Sequence, residues 1–227
     1  MTTKTIKIWD IPTRLFHWTL VAGIGFMWFS AEISDSLMER HMQVGEFLLA
    51  LILFRIIWGF VGSESARFTA FLRSPVSVLQ YAKTLPNKKP SWHAGHNPLG
   101  GWMVVVLLLI VLLQAGSGLF ITDDVLAEGP LYALVSGDLA DQLLSMHHIL
   151  FNVLTGLIVL HITAIIFYWA VKRTNLIKAM LGGRARIPAT EAHSDLQDVN
   201  ARSQWLGLLI FAVCYATVHF GLRWLAG

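Results

Sequence analysis

Among the histidines within or at the edge of long apolar segments, where an ionisable side chain is costly and usually functional, four matter most. These histidines are His17, His41, His147 and His161. A neutral imidazole offers a nitrogen lone pair to a metal. Cys214 is the one cysteine of the sequence, which excludes an internal disulfide, a C-x-x-C-H attachment site and cysteine-ligated iron–sulfur or zinc sites. The sequence therefore favours metal ligation by histidine.

The spacing of His147 and His161 predicts two metal sites along one helix. The two residues are fourteen positions apart, which is nearly four full helical turns, so both side chains share a face. Their separation along the axis is about 21 Å. This fits one non-covalent haem near each membrane surface. His148 is the rival ligand, but its offset of thirteen from His161 turns it to almost the opposite face.

Each haem iron with two axial imidazoles needs a second histidine from a neighbouring helix. In the predicted order of spans, His41 lies at the depth of His147, and His17 lies near the depth of His161. The sequence therefore predicts the ligand pairs His41–His147 and His17–His161. Each histidine taken singly is also compatible with a hydrogen-bonded packing role. Their matched depths on three helices favour ligation.

Arg55 follows His41 by fourteen residues and so shares its haem-facing side. A buried guanidinium needs an anionic partner, and a haem propionate would serve. The alternative is an arginine that snorkels to the inner surface. Glu46 in the same segment has no evident role. Tryptophans near the span ends, Trp58 among them, are typical of an aromatic belt.

The composition is that of a membrane protein. Apolar residues make up 55% of the 227 residues and charged residues 14%, against about 45–50% and about 25% in soluble domains. The sequence predicts an all-α membrane protein, with a four-helix transmembrane haem-binding bundle and a fifth C-terminal transmembrane helix. A cleavable signal peptide over residues 1–31 is the rival interpretation of the first span. The predicted spans are 13–32, 42–62, 99–121, 143–171 and 204–225.

The loops alternate in charge. Residues 62–98 and the segment after the fourth span are rich in Lys and Arg, whereas Thr122 to Ser145 carries five acidic residues and no Lys or Arg. The positive-inside rule then places the N-terminus in the cytoplasm and the C-terminus in the periplasm of a bacterial inner membrane. The same rule accounts for the basic residues, so nothing indicates nucleic acid binding. Ser74 and Pro75 predict the start of a short surface helix.

The predicted organisation has three parts. Residues 1–182 form a di-haem cytochrome b transmembrane domain, residues 183–203 a polar cytoplasmic linker, and residues 204–227 the fifth transmembrane helix.

Several motifs resemble the bacterial cytochrome b561 and Ni,Fe-hydrogenase b-type cytochrome family. They are "RLFHWTL" in the first span, H-x13-R at His41 to Arg55, "HNPLGGW" opening the third span, H-x13-H in the fourth and "KRTNLIKAM" after it. The resemblance covers roughly residues 6–182. It implies that the four histidines ligate two b haems. The family core has four helices, so His219 in the fifth span inherits no role.

The resemblance also implies quinone chemistry beside the inner haem. The matching positions are His96 and Asn97, which offer hydrogen-bond donors at the cytoplasmic surface, and His93 is a weaker candidate. The alternative is a polar helix cap before Pro98.

The expected function is electron transfer in a respiratory chain, between the quinone pool and a periplasmic partner such as a c-type cytochrome. The acidic outer loops favour a basic partner. The expected partners also include membrane lipid, and homo-oligomerisation is compatible with the sequence. One alternative is the cytochrome b subunit of a Ni,Fe-hydrogenase-like complex. Another is a stand-alone superoxide:quinone oxidoreductase, because Arg40 beside His41 is an outer-loop cation, so enzymatic activity stays open.

Overall fold

A computed structural model describes residues 3–33, 35–87, 93, 95–122, 127–188 and 201–227. In these residues the chain forms α-helices and two short strands, joined by 3-10 turns at Asp35–Leu37, Glu64–Ala66 and Tyr132–Leu134. The helices are α1 Ile11–Glu32, α2 Met38–Val61, α3 Phe68–Phe71, α4 Pro75–Thr84, α5 Pro98–Gly118, α6 Gly137–Ala170, α7 Leu176–Gly182 and α8 Gln204–Ala226. The strands are β1 Thr3–Lys7 and β2 Arg184–Pro188.

Each of the five predicted spans coincides with a long helix, and the ends differ by at most six residues. The largest difference is at the start of α6, which has 34 residues and begins at Gly137 rather than at 143. Its length is about 51 Å, well beyond a hydrocarbon core of about 30 Å. The predicted short helix is α4, where the Ser74 hydroxyl accepts a hydrogen bond from the Ser77 backbone nitrogen at 3.3 Å.

Four of the described helices, α2, α5, α6 and α8, are long and apolar enough to cross a membrane. In the most apolar stretch of α6 only 11% of the residues are buried, so its Leu, Ile and Val side chains need an apolar surrounding outside the protein. Lipid provides it, and the chain is a membrane protein. The 22-residue α1 is not one of these four helices, and it carries Arg14, His17 and Glu32. A membrane crossing by α1 stays a prediction.

By backbone contacts, the chain divides into two compact units. The first comprises Met1–Leu15, Ile56–Val106 and Leu157–Gly207. Its small sheet pairs β1 with β2 antiparallel, with Ile6 opposite Ala185. Ile6 and Ile187 are each 1% exposed and pack with Trp9 and Ala179. Part of the segment that the sequence indicated as a linker is thus an ordered strand.

Asp10 determines where α1 begins. One carboxylate oxygen accepts from the Thr13 backbone nitrogen at 2.8 Å, as a helix cap does, and the other accepts from the Trp58 indole nitrogen at 3.1 Å. Asp10 is 2% exposed and Trp58 is fully buried. The aromatic-belt interpretation is therefore wrong for Trp58, which is a core residue that satisfies a buried carboxylate.

The helix α7 is fastened to the start of α1. Asn175 caps it by accepting from the Lys178 backbone nitrogen at 2.8 Å, and Gly183 ends it in the left-handed conformation, with φ of 73°. Arg14 donates to the backbone carbonyls of Met180 and Leu181 in the last turn. A cation at a helix C-terminus is favourable, so the Arg14 of "RLFHWTL" and the "KRTNLIKAM" segment stabilise each other.

The second unit comprises Phe16–Arg55, Leu107–Gly156 and Leu208–Gly227. In this unit α8 packs against α2, where the Phe211 ring lies 5.7 Å from Phe47 and 6.0 Å from Phe54 between centroids. Val218 and Leu222 of α8 are buried with Leu49 and Ala50 of α2. The fifth helix therefore contributes to the core of this unit.

Candidate metal centre

His41 lies in the first turns of α2, and Ser30 lies near the end of α1. The Ser30 Oγ is 2.9 Å from the His41 Nδ1 and 3.1 Å from the Met27 carbonyl oxygen. A hydroxyl has one hydrogen, and here it is donated to the carbonyl, so the oxygen accepts from Nδ1–H. The His41 Nε2 then keeps its lone pair for a metal.

His147 on α6 has the same kind of contact with α5. The Ser117 Oγ is 3.0 Å from the His147 Nδ1 and 2.9 Å from the Gln114 carbonyl oxygen. Because the Ser117 hydroxyl also donates its one hydrogen to a carbonyl, the His147 Nδ1 carries a hydrogen and the His147 Nε2 carries the lone pair. Both serines are buried, at 0% for Ser30 and 3% for Ser117, so water does not compete for these contacts.

The two imidazoles fit a haem held by two axial ligands. His41 and His147 belong to the same compact unit. Gly118 lies against the His147 ring, and a Cβ on it would stand 3.3 Å from Cε1. The buried Gln114 side-chain oxygen has no hydrogen-bond partner among the described residues. A pair of neutral imidazoles is the ligand set that a porphyrin-held iron takes from a protein.

His17 and His161 lie on α1 and α6, as the sequence predicted, and both are half-buried. The His17 ring packs edge-on against Trp18, with centroids 4.9 Å apart. The pairing of His17 with His161 stays a prediction. His148, the rival of His147, is exposed on α6 beside Asp141 and Asn152.

Arg55 does not reach the surface, because its side chain is 2% exposed. Its guanidinium carbon lies 6.0 Å from the centroid of the Phe16 ring, within the range of a cation–π contact. The snorkelling alternative therefore does not describe this residue. A role towards a propionate stays a prediction.

Asn97 uses both ends of its amide within the protein. Its Oδ1 accepts from the Gly100 backbone nitrogen at 2.8 Å, which caps α5 ahead of Pro98. Its Nδ2 donates to the Tyr168 hydroxyl at 2.9 Å, and that hydroxyl lies 2.5 Å from the Tyr81 hydroxyl. The helix-cap alternative is thus present in the structure, and the second Nδ2 hydrogen of Asn97 is a further donor that a quinone carbonyl could accept.

His96 is enclosed by aromatic rings. Its centroid lies 4.7 Å from that of Trp9 and 4.7 Å from that of Phe71. His93 packs edge-on against Tyr81 at 5.4 Å. Burial lowers the pKa of His93 below its usual range, and the positive charge of Arg73 lowers it further, so His93 is neutral at pH 7.

Sequence reasoning missed the two serines that hold the histidines. A usable signal existed, because Ser30 and Ser117 each end an apolar segment at the depth predicted for His41 and His147. It also left Glu46 and His219 unexplained, and the structure joins them at 2.6 Å.

Two comparisons with known proteins bear on this site. The family model described as prokaryotic cytochrome b561 matches residues 8–183. A relative from Bradyrhizobium diazoefficiens, named "Probable Ni/Fe-hydrogenase B-type cytochrome subunit", is 23% identical over 215 residues, which cover 79% of this chain and 85% of the relative. No solved structure matches the chain.

Proposed function

Because the chain belongs to the prokaryotic cytochrome b561 family, we propose that it holds two b haems and carries electrons between quinone and a periplasmic redox protein. The coarser statement is established by the family: the protein is a membrane b-type cytochrome that binds haem b and transfers electrons. The number of haems, the quinone and the periplasmic partner are the proposal.

One haem is held by His41 and His147. The observation that carries this assignment is the matched pair of serine contacts, which leaves the Nε2 of both imidazoles available to iron. When bound, the haem supplies a one-electron carrier. The protein residues supply the axial nitrogens and fix their orientation.

The other haem is held by His17 and His161. Support comes from the helical spacing of His147 and His161 on the unbroken α6, which sets two ligand levels about 21 Å apart. Arg55 is the proposed partner of a propionate, which its burial and its position fourteen residues after His41 support.

The protein lies in the bacterial inner membrane with its N-terminus in the cytoplasm and its C-terminus in the periplasm. The basic loops support this orientation through the positive-inside rule. In this orientation the haem of His41 and His147 is on the periplasmic side, where electrons reach a soluble partner.

The partner is a redox protein with a basic face, such as a c-type cytochrome. Glu128, Asp138 and Asp141 are exposed on the periplasmic side of the proposed orientation and provide complementary charge. Asp123 and Asp124, which the sequence also assigned to this face, lie outside the described residues.

On the cytoplasmic side, His96 and Asn97 are the proposed quinone residues. The Trp9 and Phe71 rings beside His96 offer a surface on which a flat apolar ring stacks. Asn97 would donate its second Nδ2 hydrogen to a quinone carbonyl while the first stays on the Tyr168 hydroxyl.

Two other functions have a specific observation behind them. Similarity to a protein named as a hydrogenase cytochrome subunit favours a hydrogenase-like complex, whose protein partner would cover the acidic periplasmic loops. Arg40 favours a superoxide:quinone oxidoreductase, although its guanidinium donates to Gln43 on its own helix at 3.0 Å.

The test is a haem count and a redox titration of the purified protein, followed by electron-donor assays. The proposal expects two haems per chain, two components in the α-band titration and rapid electron exchange with a basic c-type cytochrome. A single haem would overturn it. Superoxide-driven quinone reduction without exchange with cytochrome c would favour the enzyme instead.

A further inference from the structure

We propose that Ser30 and Ser117 are positioning residues that set the orientation and the redox potential of the haem held by His41 and His147. The proposal rests on the proposed function, because it takes these two histidines as the axial ligands. No role for either serine follows from the family or from the named relative.

On the His41 side, two consecutive hydrogen bonds link three groups. The His41 Nδ1–H donates to the Ser30 Oγ over 2.9 Å, and the Ser30 hydroxyl donates to the Met27 carbonyl over 3.1 Å. The second bond directs the hydroxyl hydrogen away from the ring, so that the oxygen presents only lone pairs to the imidazole. The ring is thereby held in one tautomer and one rotation.

On the His147 side, two equivalent hydrogen bonds link residues of different helices. The His147 Nδ1–H donates to the Ser117 Oγ over 3.0 Å, and the hydroxyl donates to the Gln114 carbonyl over 2.9 Å. On both sides, the accepting carbonyl belongs to the residue three positions before the serine. Two different helices, α1 and α5, thus provide the same acceptor to the two proposed ligands, which a packing role for the serines does not require.

The acceptor chemistry determines the direction of the effect. A hydroxyl is a neutral and weak acceptor, so it adds little basicity to the imidazole, whereas a strong acceptor at Nδ1 makes a ligand more basic and favours ferric iron. The Met27 and Gln114 carbonyls are the next acceptors beyond the serines, because each accepts from a serine hydroxyl. Without the serine, Nδ1–H would turn to the carbonyl, which is the stronger acceptor.

The test uses the full-length protein in detergent, with the variants Ser30→Ala, Ser117→Ala and the corresponding Thr variants. Haem content, the midpoint potential of each component and the low-temperature EPR spectrum of the ferric haems are measured. Thr155→Val is the matched control, because the Thr155 hydroxyl donates to the Phe151 carbonyl at 2.9 Å and lies on an exposed face of α6.

We expect both Ala variants to lower the potential of the same single component and to change its largest g-value, with the other component unmoved. The Thr variants should restore both readouts, and Thr155→Val should change neither. Selective loss of that one haem in the Ala variants, with recovery in the Thr variants, also supports the proposal.

Unchanged potentials and g-values in fully loaded Ala variants would overturn the positioning role. Loss of both haems in the Ala and Thr variants alike would also overturn it, since the positions would then serve packing. Failure of the proposed function is a separate result: His41→Ala and His147→Ala would retain both haems, whatever the serine variants do.

Discussion

Glu46 on α2 and His219 on α8 are joined by a hydrogen bond of 2.6 Å between Oε1 and Nδ1. Arg223 lies one turn after His219, with a guanidinium nitrogen 3.4 Å from the same carboxylate oxygen and 2.9 Å from the His219 carbonyl. That nitrogen is also 2.6 Å from the His219 Nδ1. One nitrogen cannot both donate to Glu46 and accept from Arg223, so His219 donates and Arg223 pairs with the carboxylate.

The first prediction concerns this cluster. Glu46→Ala removes the acceptor that holds α8 to α2, and we expect a loss of about 1–3 kcal/mol of stability, the range for hydrogen bonds to charged groups. Thermal unfolding monitored by haem absorbance in detergent measures it. Glu39→Ala is the control, because Glu39 is exposed and bonds only Gln43 of its own helix. Equal midpoints for the two variants would mean that the cluster contributes nothing.

The second prediction concerns haem ligation. His41→Ala and His147→Ala should each lose the same haem and keep the other, and His17→Ala and His161→Ala should each lose the second. A pyridine haemochromogen assay of purified protein gives the count. His148→Ala is the neighbouring control and should retain both haems, because His148 is exposed and lies on the opposite side of α6. Loss of a haem in His148→Ala, with none lost in His147→Ala, would reverse the ligand assignment.

The third prediction concerns Arg55. Arg55→Met removes a buried positive charge from the second unit. A positive charge near a haem disfavours the ferric state, so its loss should lower one midpoint potential by the equivalent of about 1–2 kcal/mol. Potentiometric titration measures the shift. Arg40→Met is the control, because Arg40 is exposed, and it should leave both midpoint potentials unchanged. Unchanged potentials in Arg55→Met would mean that Arg55 serves packing alone.

The fourth prediction separates two roles of Asn97. Asn97→Ala removes the cap of α5 and should cost about 1 kcal/mol of stability. Asn97→Asp keeps the acceptor for the Gly100 backbone nitrogen but removes the Nδ2 donor. We expect near-normal thermal stability of Asn97→Asp together with slower quinone reduction. Normal quinone kinetics in Asn97→Asp would leave Asn97 as a helix cap only.

The fifth prediction concerns the acidic periplasmic face. Reduction of a basic c-type cytochrome should slow as ionic strength rises, because salt screens steering between exposed charges. The double variant Asp138→Asn and Asp141→Asn should be slower at low salt and approach the wild-type rate at high salt. Stopped-flow measurement with a matched acidic cytochrome provides the control. A rate that is independent of salt for both proteins would exclude this docking surface.

The long helices could be predicted from the sequence because the apolar runs match the thickness of a membrane. Their caps could also be predicted where a side chain acts locally, as Asp10 does for α1 and Ser74 for α4. The same local argument gave the cap alternative at Asn97. In each case the partner is three residues away, so the pattern is visible in the chain itself.

The sheet could not be predicted by such reasoning. Each of its strands has five residues and a single large apolar side chain, Ile6 or Ile187. Five residues are too few for an alternation of apolar and polar side chains to be recognised. The paired residues are also about 180 positions apart in the chain. The Lys and Arg residues in and near the two strands were attributed to the positive-inside rule. That rule concerns membrane orientation and says nothing about strand pairing.

The histidine–serine contacts and the Glu46–His219 bond depend on which helices become neighbours. Periodicity placed His41 and His147 on suitable faces, but it does not state which hydroxyl approaches Nδ1. Trp58 shows the same limit. Its position near a span end indicated an interfacial ring, whereas the approach of Asp10 makes it a buried donor.

The pairing of β1 with β2 also fixes an order of events during biosynthesis. A ribosome releases Thr3–Lys7 first, but the edge of that strand has no mate until Arg184–Pro188 has emerged. Four long helices, α1, α2, α5 and α6, are synthesised in the interval, so β1 stays unpaired until they have been made. The β1–β2 sheet therefore forms late in maturation, only after both strands have been synthesised and have met.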